Sequence, residues 1–305
     1  MIVVTGGSGF IGSNLIEYLN SLKKNNILVV DRVTKKKKKN LNKLKYLRTE
    51  NKEIFLKKLI KGDYKNQISC IFHYGACSDT TNVNWNYLYI NNYLYSKKLI
   101  QYAIENKIKI LYASSASVYG LDANNKKENS KNQKPINYYA KSKFLIDKFV
   151  SEIKSKYVIG LRFFNVYGKN EHHKMKMMSP ITRFYLDIKR KKKCKIFGKY
   201  GGYKKGEHSR DFIFVEDCNK IAIWLLKKNQ SGIFNIGTGK SIKFIDVARS
   251  IIKKIGYGEI EFINFPENLK NKYQCFTKAN INKLLNKGFN SKLDNIDKAL
   301  KKINI

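Results

Sequence analysis

Val3-Val4-Thr5-Gly6-Gly7-Ser8-Gly9-Phe10-Ile11-Gly12 decides the fold of this chain. The apolar run from Met1 to Val4 reads as a buried strand, and glycines at 6, 9 and 12 read as a tight turn. Ile11, Leu15, Ile16 and Leu19 then recur on one face, so a helix follows. Such a turn needs glycine where φ is positive and where the backbone must approach a ligand closely. The N–H groups opening the helix face a pyrophosphate in arrangements of this kind. A second apolar run, Ile27-Leu28-Val29-Val30, ends in Asp31. That places a carboxylate about 20 residues past the turn, where it can bond a ribose hydroxyl. Strand, turn, helix, strand and acid together predict a dinucleotide-binding α/β unit.

At 305 residues, 43% of them hydrophobic, the chain is long enough for one large domain or two smaller ones. No apolar run approaches the roughly 18 residues of a membrane span, so no membrane association is expected. Met1 leads straight into a core strand, which leaves no room for a signal peptide and predicts a cytoplasmic protein. The five cysteines, Cys70, Cys77, Cys194, Cys218 and Cys275, are odd in number and form no C-x-x-C pair. Free thiols are the simplest reading. Neither they nor the four histidines show ligand spacing, so no metal is expected. The formal charge of +38 would by itself point to nucleic acid. Lysine, asparagine and isoleucine are abundant throughout and prolines number only three, which reads as compositional drift with no specific nucleic-acid partner.

After Asp31 come Arg32 and the run Lys35 to Lys39. Asp31 alone suits NAD; Arg32 and a nearby lysine such as Lys37 suit a 2′-phosphate, with Lys52 a further candidate. The reading leans to NADP, with NAD possible. Ile68 to His73 reads as a third strand, followed by the small-residue loop Tyr74-Gly75-Ala76-Cys77-Ser78, which lets a cofactor lie close to the backbone. Tyr87 to Leu99 reads as one long helix, with Asn91 a polar contact beside that loop or a surface residue. Ile108 to Ala113 is a fourth strand that runs into Ser114-Ser115-Ala116-Ser117, and serines at a strand's carboxyl end sit where ligands bind. Tyr139 and Lys143 are four apart and share a helix face. An ammonium beside a phenol lowers the tyrosine pKa and readies it for proton transfer.

In this order, the glycine turn, serine-tipped strand and Tyr-x-x-x-Lys resemble the extended short-chain dehydrogenase/reductases, the sugar-nucleotide epimerases and dehydratases. The likeness extends through R-F-F-N-V-Y-G, R-D-F-I-F-V-E-D and S-G-I-F-N-I-G-T-G. H-Y-G-A-C-S-D-T-T and K-Y-Q-C-F-T-K-A resemble the branch that acts on an ADP-heptose and separate the chain from the galactose 4-epimerases. Ser115 is followed by Ala116 and Ser117, where dehydratases carry an acidic pair.

The resemblance implies a doubly wound Rossmann-type parallel sheet with a smaller, interleaved α+β substrate-binding domain. Residues 1–166 and about 211–238 would hold NADP; about 167–210 and 239–305 would hold substrate. It implies catalysis by Tyr139, Ser115, Lys143 and Lys174. Gly6, Gly9, Phe10, Ile11, Gly12, Asp31, Arg32, Lys37, Lys52, Tyr74 to Ser78, Asn91, Tyr139, Lys143, Val166 and Lys174 would line the cofactor. Ser115, Asn165, Lys176, Arg183, Phe197, Arg210 and Tyr273 would contact substrate. The implied reaction is epimerisation at C6″ through transient oxidation, serving lipopolysaccharide inner-core synthesis; a UDP-hexose 4-epimerase and a noncatalytic NADP-binding protein stand as alternatives. A homo-oligomer, pentameric in the heptose branch, is implied as well. One departure stands out. Around Lys174 the family reads H-K-G-x-M-A-S, and here Met175 replaces the glycine and Met178 the alanine.

Overall fold

A computed structural model describes residues 1–121, 123–124, 126–129 and 133–303. Seven parallel strands form one sheet, in the order Gly232–Ile236, Val158–Phe163, Lys109–Ser115, Cys70–His73, Ile2–Thr5, Ile27–Val30, Arg48–Glu50. The first strand is central, and the chain winds outward from it in both directions. This is the doubly wound α/β sheet that the glycine turn predicts. Its inner strands are apolar runs with no exposed face: Ile27–Val30 and Cys70–His73 are buried at every position, as expected where helices cover both sides.

On one side Val4, Val29 and Phe72 pack with Leu15, Ile16 and Leu19 of the Phe10–Ser21 helix and Ile221 and Leu225 of the Val215–Lys227 helix. On the other, Val3, Leu28 and Ile71 meet Phe55, Leu99 and Ile146 from helices Lys52–Lys61, Tyr95–Glu105 and Tyr138–Ile153. A further core lies beside the sheet, around Ile181, Phe184, Ile188, Phe212, Phe244 and Ile251. It is built from helices Pro180–Lys191 and Phe244–Ile255 and the parallel pair Lys193–Phe197 and Glu259–Ile263.

Three local details differ from the sequence reading. Ser114 and Ser115 belong to the strand itself, which runs to Ser115 before a turn at Ala116–Tyr119. The expected long helix is interrupted by a π-helical turn at Tyr89–Leu94. Two sheet strands, Arg48–Glu50 and Val158–Phe163, carried no clear sequence signal: one is short and polar, the other contains Gly160 and Arg162. No helix is long and apolar enough to cross a membrane among the described residues.

Candidate active site

The strand order reverses between Ile2–Thr5 and Cys70–His73, and ligands bind at such a switch point. The loops leaving these two strands touch there. Gly6 has φ +69°, and a Cβ on it would lie 2.6 Å from the Gly75 nitrogen. A Cβ on Gly12 would lie 2.3 Å from the Gly6 carbonyl oxygen. The Phe10–Ser21 helix starts at Gly9 with no side chain capping its N–H groups. A backbone cradle and an uncapped helix N-terminus suit a pyrophosphate.

Asp31 stands at the end of its strand, oriented by a residue that the sequence reading passed over. Ser8 donates to Asp31 Oδ2 from its backbone nitrogen, 3.1 Å, and from its hydroxyl, 2.6 Å. Lys37 Nζ reaches Oδ1 at 3.1 Å. A cavity of about 640 Å³ opens from this point. Gly6, Gly9, Phe10, Ile11, Gly12, Asp31, Lys37, Tyr74 to Ser78, Ser115, Tyr139, Lys143, Asn165, Val166 and Lys174 all line it. Arg32, Lys52 and Asn91 do not. Arg32 is exposed and paired with Glu53, and Lys52 donates to Asn91 Oδ1.

The residue that secures the Tyr74–Ser78 loop is Asn92. It is buried, receives the Cys77 N–H at 2.8 Å, and donates to the Cys77 carbonyl at 3.0 Å and the Ser142 hydroxyl at 3.0 Å. The Asn91-Asn92 pair was the available signal.

Tyr139 and Lys143 lie one turn apart on the Tyr138–Ile153 helix, whose start is capped by the Asn137 side chain. Lys143 is buried and donates to the Ala113 carbonyl at 2.8 Å. Burial pushes its pKa down to about 8, against the upward pull of Asp147. The expected depression of the Tyr139 phenol is not found. Burial raises its pKa, against a smaller downward influence from the neighbouring Ser115. The Lys143 ammonium is turned to the Ala113 carbonyl.

Lys174 enters the cavity from the His172–Met177 turn, with Nζ 5.3 Å from the centre of the Phe10 ring. Burial lowers its pKa, partly offset by Glu171. Met175 has φ +47° and ψ −114°, a conformation that glycine adopts freely and other residues at a cost of about 1–3 kcal/mol. The family's glycine position thus keeps a glycine-like backbone while carrying a methionine.

Asn165, Met178 and Pro180 also line a second cavity of about 410 Å³, which runs on to Arg183, Phe184, Phe197, Arg210, Phe244 and Tyr273. Arg210 is buried, and its guanidinium lies 4.8 Å from the Tyr273 ring centre. Neither neighbouring acid takes it. Asp211 accepts from Thr238, Gly239 and Ala279, and Asp217 pairs with Lys220 at 2.7 Å. A buried guanidinium with no carboxylate partner among the described residues is a ready anion site. Lys176 lines neither cavity; its carbonyl accepts a hydrogen bond from Arg183.

Residues 2–237 match the model of the NAD dependent epimerase/dehydratase family. The ADP-L-glycero-D-manno-heptose-6-epimerase of Brachyspira hyodysenteriae is 39% identical over 310 residues, spanning 99% of this chain and 96% of that one. Among solved structures, Helicobacter pylori ADP-L-glycero-D-manno-heptose-6-epimerase aligns with a TM-score of 0.84 at 28% identity, over 99% of this chain and 94% of its own. The UDP-N-acetylglucosamine 4-epimerase of Methanobrevibacter ruminantium aligns at 0.85 with 25% identity, over 99% and 96%. The match spans the glycine cradle, the Tyr139 helix and the whole parallel sheet, and the chain belongs to the NAD-dependent epimerase/dehydratase family.

Proposed function

We propose that this enzyme interconverts the C6″ epimers of an ADP-activated heptose, using tightly held NADP and accepting NAD. One observation carries the reading: Ser115, Tyr139, Lys143 and Lys174 converge on a cavity continuous with the Arg210 anion pocket. The similarity to named heptose epimerases supports the choice of sugar. The Gly6 cradle and Asp31 fit a dinucleotide, and Lys37 beside Asp31 favours the 2′-phosphate. The same reading carries a cytoplasmic location and self-association, the latter supported by exposed Tyr87, Ile90 and Tyr138. It also divides the chain into a cofactor part, 1–166 with about 211–238, and a substrate part.

When bound, the nicotinamide supplies reversible hydride acceptance from C6″. The chain's own groups manage the proton and the geometry. Ser115 bonds the reacting hydroxyl and tunes Tyr139. Lys143 holds the ribose. Tyr139 and Lys174 enter from different elements, the helix and the His172–Met177 turn. One removes the hydroxyl proton as the C6″ ketone forms. After the ketone presents its other face, the opposite group protonates the returning alkoxide. Burial lowers the Lys174 pKa, the direction that suits a group which must both take and give a proton. Arg210 and Arg183 grip the diphosphate, and Asn165 contacts the sugar between the two cavities.

The test is NMR of the protein with ADP-D-glycero-β-D-manno-heptose and either NADP+ or NAD+. Wild type converts the sugar, faster with NADP+. Tyr139→Phe and Lys174→Met each lose at least about 100-fold in rate, the scale of a lost general acid or base. A folded, cofactor-loaded wild type that leaves the sugar unchanged overturns the assignment.

A further inference from the structure

Glu171 has no role in the chemistry described above, yet it is buried and fully engaged. Its Oε1 accepts from the Gly168 N–H at 3.1 Å, the Ser179 hydroxyl at 2.8 Å and the Thr182 hydroxyl at 2.7 Å. Its Oε2 accepts from the Ser179 N–H at 2.6 Å. Its own backbone carbonyl takes the Lys174 N–H at 2.8 Å. One side chain therefore ties together both ends of the segment that carries Lys174. It also fastens that segment to the first turn of the Pro180–Lys191 helix, which presents Arg183 to the anion pocket. Between the tied ends sits Met175, 58% exposed, at positive φ.

We propose that Glu171 is a positioning residue that holds the Lys174 turn in its cavity-facing form against the backbone strain at Met175. The proposal rests on the reading of Lys174 as an acid/base. Released from the clamp, Met175 relaxes toward negative φ, and the turn then carries Lys174 away from the cavity. Glutamine does not substitute. Each carboxylate oxygen faces a backbone N–H, that of Gly168 at Oε1 and that of Ser179 at Oε2, so an amide nitrogen meets an obligate donor whichever way it turns.

The design separates positioning from a general structural effect by relieving the strain itself. Four forms of the NADP-loaded enzyme are compared: wild type, Glu171→Gln, Met175→Gly and the double variant. Two readouts are taken: turnover of the ADP-heptose, and amide hydrogen exchange across residues 168–179. In the methionine background Glu171→Gln lowers kcat by roughly 10- to 100-fold, the range corresponding to the strain released, with KM little changed. In the glycine background the same substitution costs less than about threefold, because glycine carries no strain at positive φ for the clamp to oppose. Exchange across 168–179 rises in Glu171→Gln and falls back in the double variant. Equal losses in both backgrounds overturn the proposal, as does wild-type kcat in Glu171→Gln. If wild type does not turn over the sugar, the reading of the reaction fails instead, and exchange alone judges the clamp: unchanged exchange in Glu171→Gln refutes it.

Discussion

Removing the Asp147 carboxylate should destabilise this protein more than removing the whole ion pair to which it belongs. Arg162 and Asp147 are 0% and 2% exposed, and they meet through the Arg162 Nε at 3.0 Å and a terminal nitrogen at 2.6 Å. Asp147 also accepts from Tyr112 at 2.9 Å and Ser114 at 2.7 Å, and Arg162 donates to Tyr119 at 2.7 Å. Burial works against the guanidinium's charge, and the Asp147 carboxylate and the Tyr119 hydroxyl together outweigh it, holding the Arg162 pKa raised. In Asp147→Asn that charge stays buried without compensation, at a cost of about 3–5 kcal/mol. At about 2 °C per kcal/mol for a chain of this size, the melting temperature falls by about 6–10 °C. In the pair Asp147→Leu with Arg162→Met both charges are gone. Unpaired hydroxyls of Tyr112 and Ser114 remain, each costing about 1 kcal/mol, while Tyr119 keeps its bond to Asn235 Oδ1 at 2.7 Å, and the double variant should cost less than either single change. Urea unfolding of wild type, Asp147→Leu, Arg162→Met and the double variant reads this as a coupling energy. A loss under about 1 kcal/mol in Asp147→Asn, or a double variant as costly as the sum of the singles, refutes the reasoning. The network also reaches the site. Asp147 lies one turn beyond Lys143 and raises its pKa, so Asp147→Asn should move any pH limb owed to Lys143 below about 8.

Two further outcomes are expected. His73 is buried between the Thr5 hydroxyl, 2.6 Å, and the Ser96 hydroxyl, 2.7 Å, and burial pushes its pKa down to about 3. Below its ordinary value of about 6.5 the unfolded chain binds a proton that the folded chain refuses, so this contribution is present above about pH 6.5 and is lost toward about pH 3, by up to about 1.4 kcal/mol per pH unit. His73→Gln should flatten that acid limb in urea melts; a limb of unchanged slope refutes the assignment to His73. Arg210→Ala should weaken ADP binding by about 10- to 100-fold in calorimetry at fixed salt, the scale of lost hydrogen bonds to a charged group. Arg210→Lys should recover only part of this, because an ammonium lacks the planar fork. Full recovery by lysine, or unchanged binding by alanine, counts against the diphosphate contact.

The sheet was legible because its inner strands leave no choice. Ile27–Val30 and Cys70–His73 have no polar face, and buried parallel strands are continuous apolar runs. The glycine turn was legible because the close approach of Gly6 to Gly75 excludes any side chain at residue 6. What stayed hidden depended on partners that no motif marks in the sequence. Ser8 looked like turn filler until Asp31, 23 residues on, was found to hang from it. Asn92 was hidden by having partners at Cys77 and Ser142, and Glu171 by having donors at 168, 179 and 182 rather than a cationic partner or a motif. The tuning of Tyr139 was misread because sequence spacing reports proximity on a helix and not the direction of the Lys143 ammonium, which the Ala113 carbonyl fixes.

Abundance conceals the functional cations in a chain with 61 lysines and arginines. Burial separates them, since a long cationic side chain leaves water only when something holds it there. Among the described residues, Lys143, Arg162 and Arg210 are the buried lysine and arginines. Arg162 has Asp147 in ideal contact, and its charge is spent on joining the Tyr138–Ile153 helix to the sheet. Lys143 and Arg210 have a backbone carbonyl and aromatic faces instead, and both open onto the joined cavities. A buried cation lacking a carboxylate retains most of its electrostatic demand, and an anionic ligand entering the cavity satisfies it. For that reason the two sites that look least settled in the isolated chain are where a dinucleotide ribose and a sugar diphosphate are expected, and the surrounding surface lysines, already solvated, add little to either.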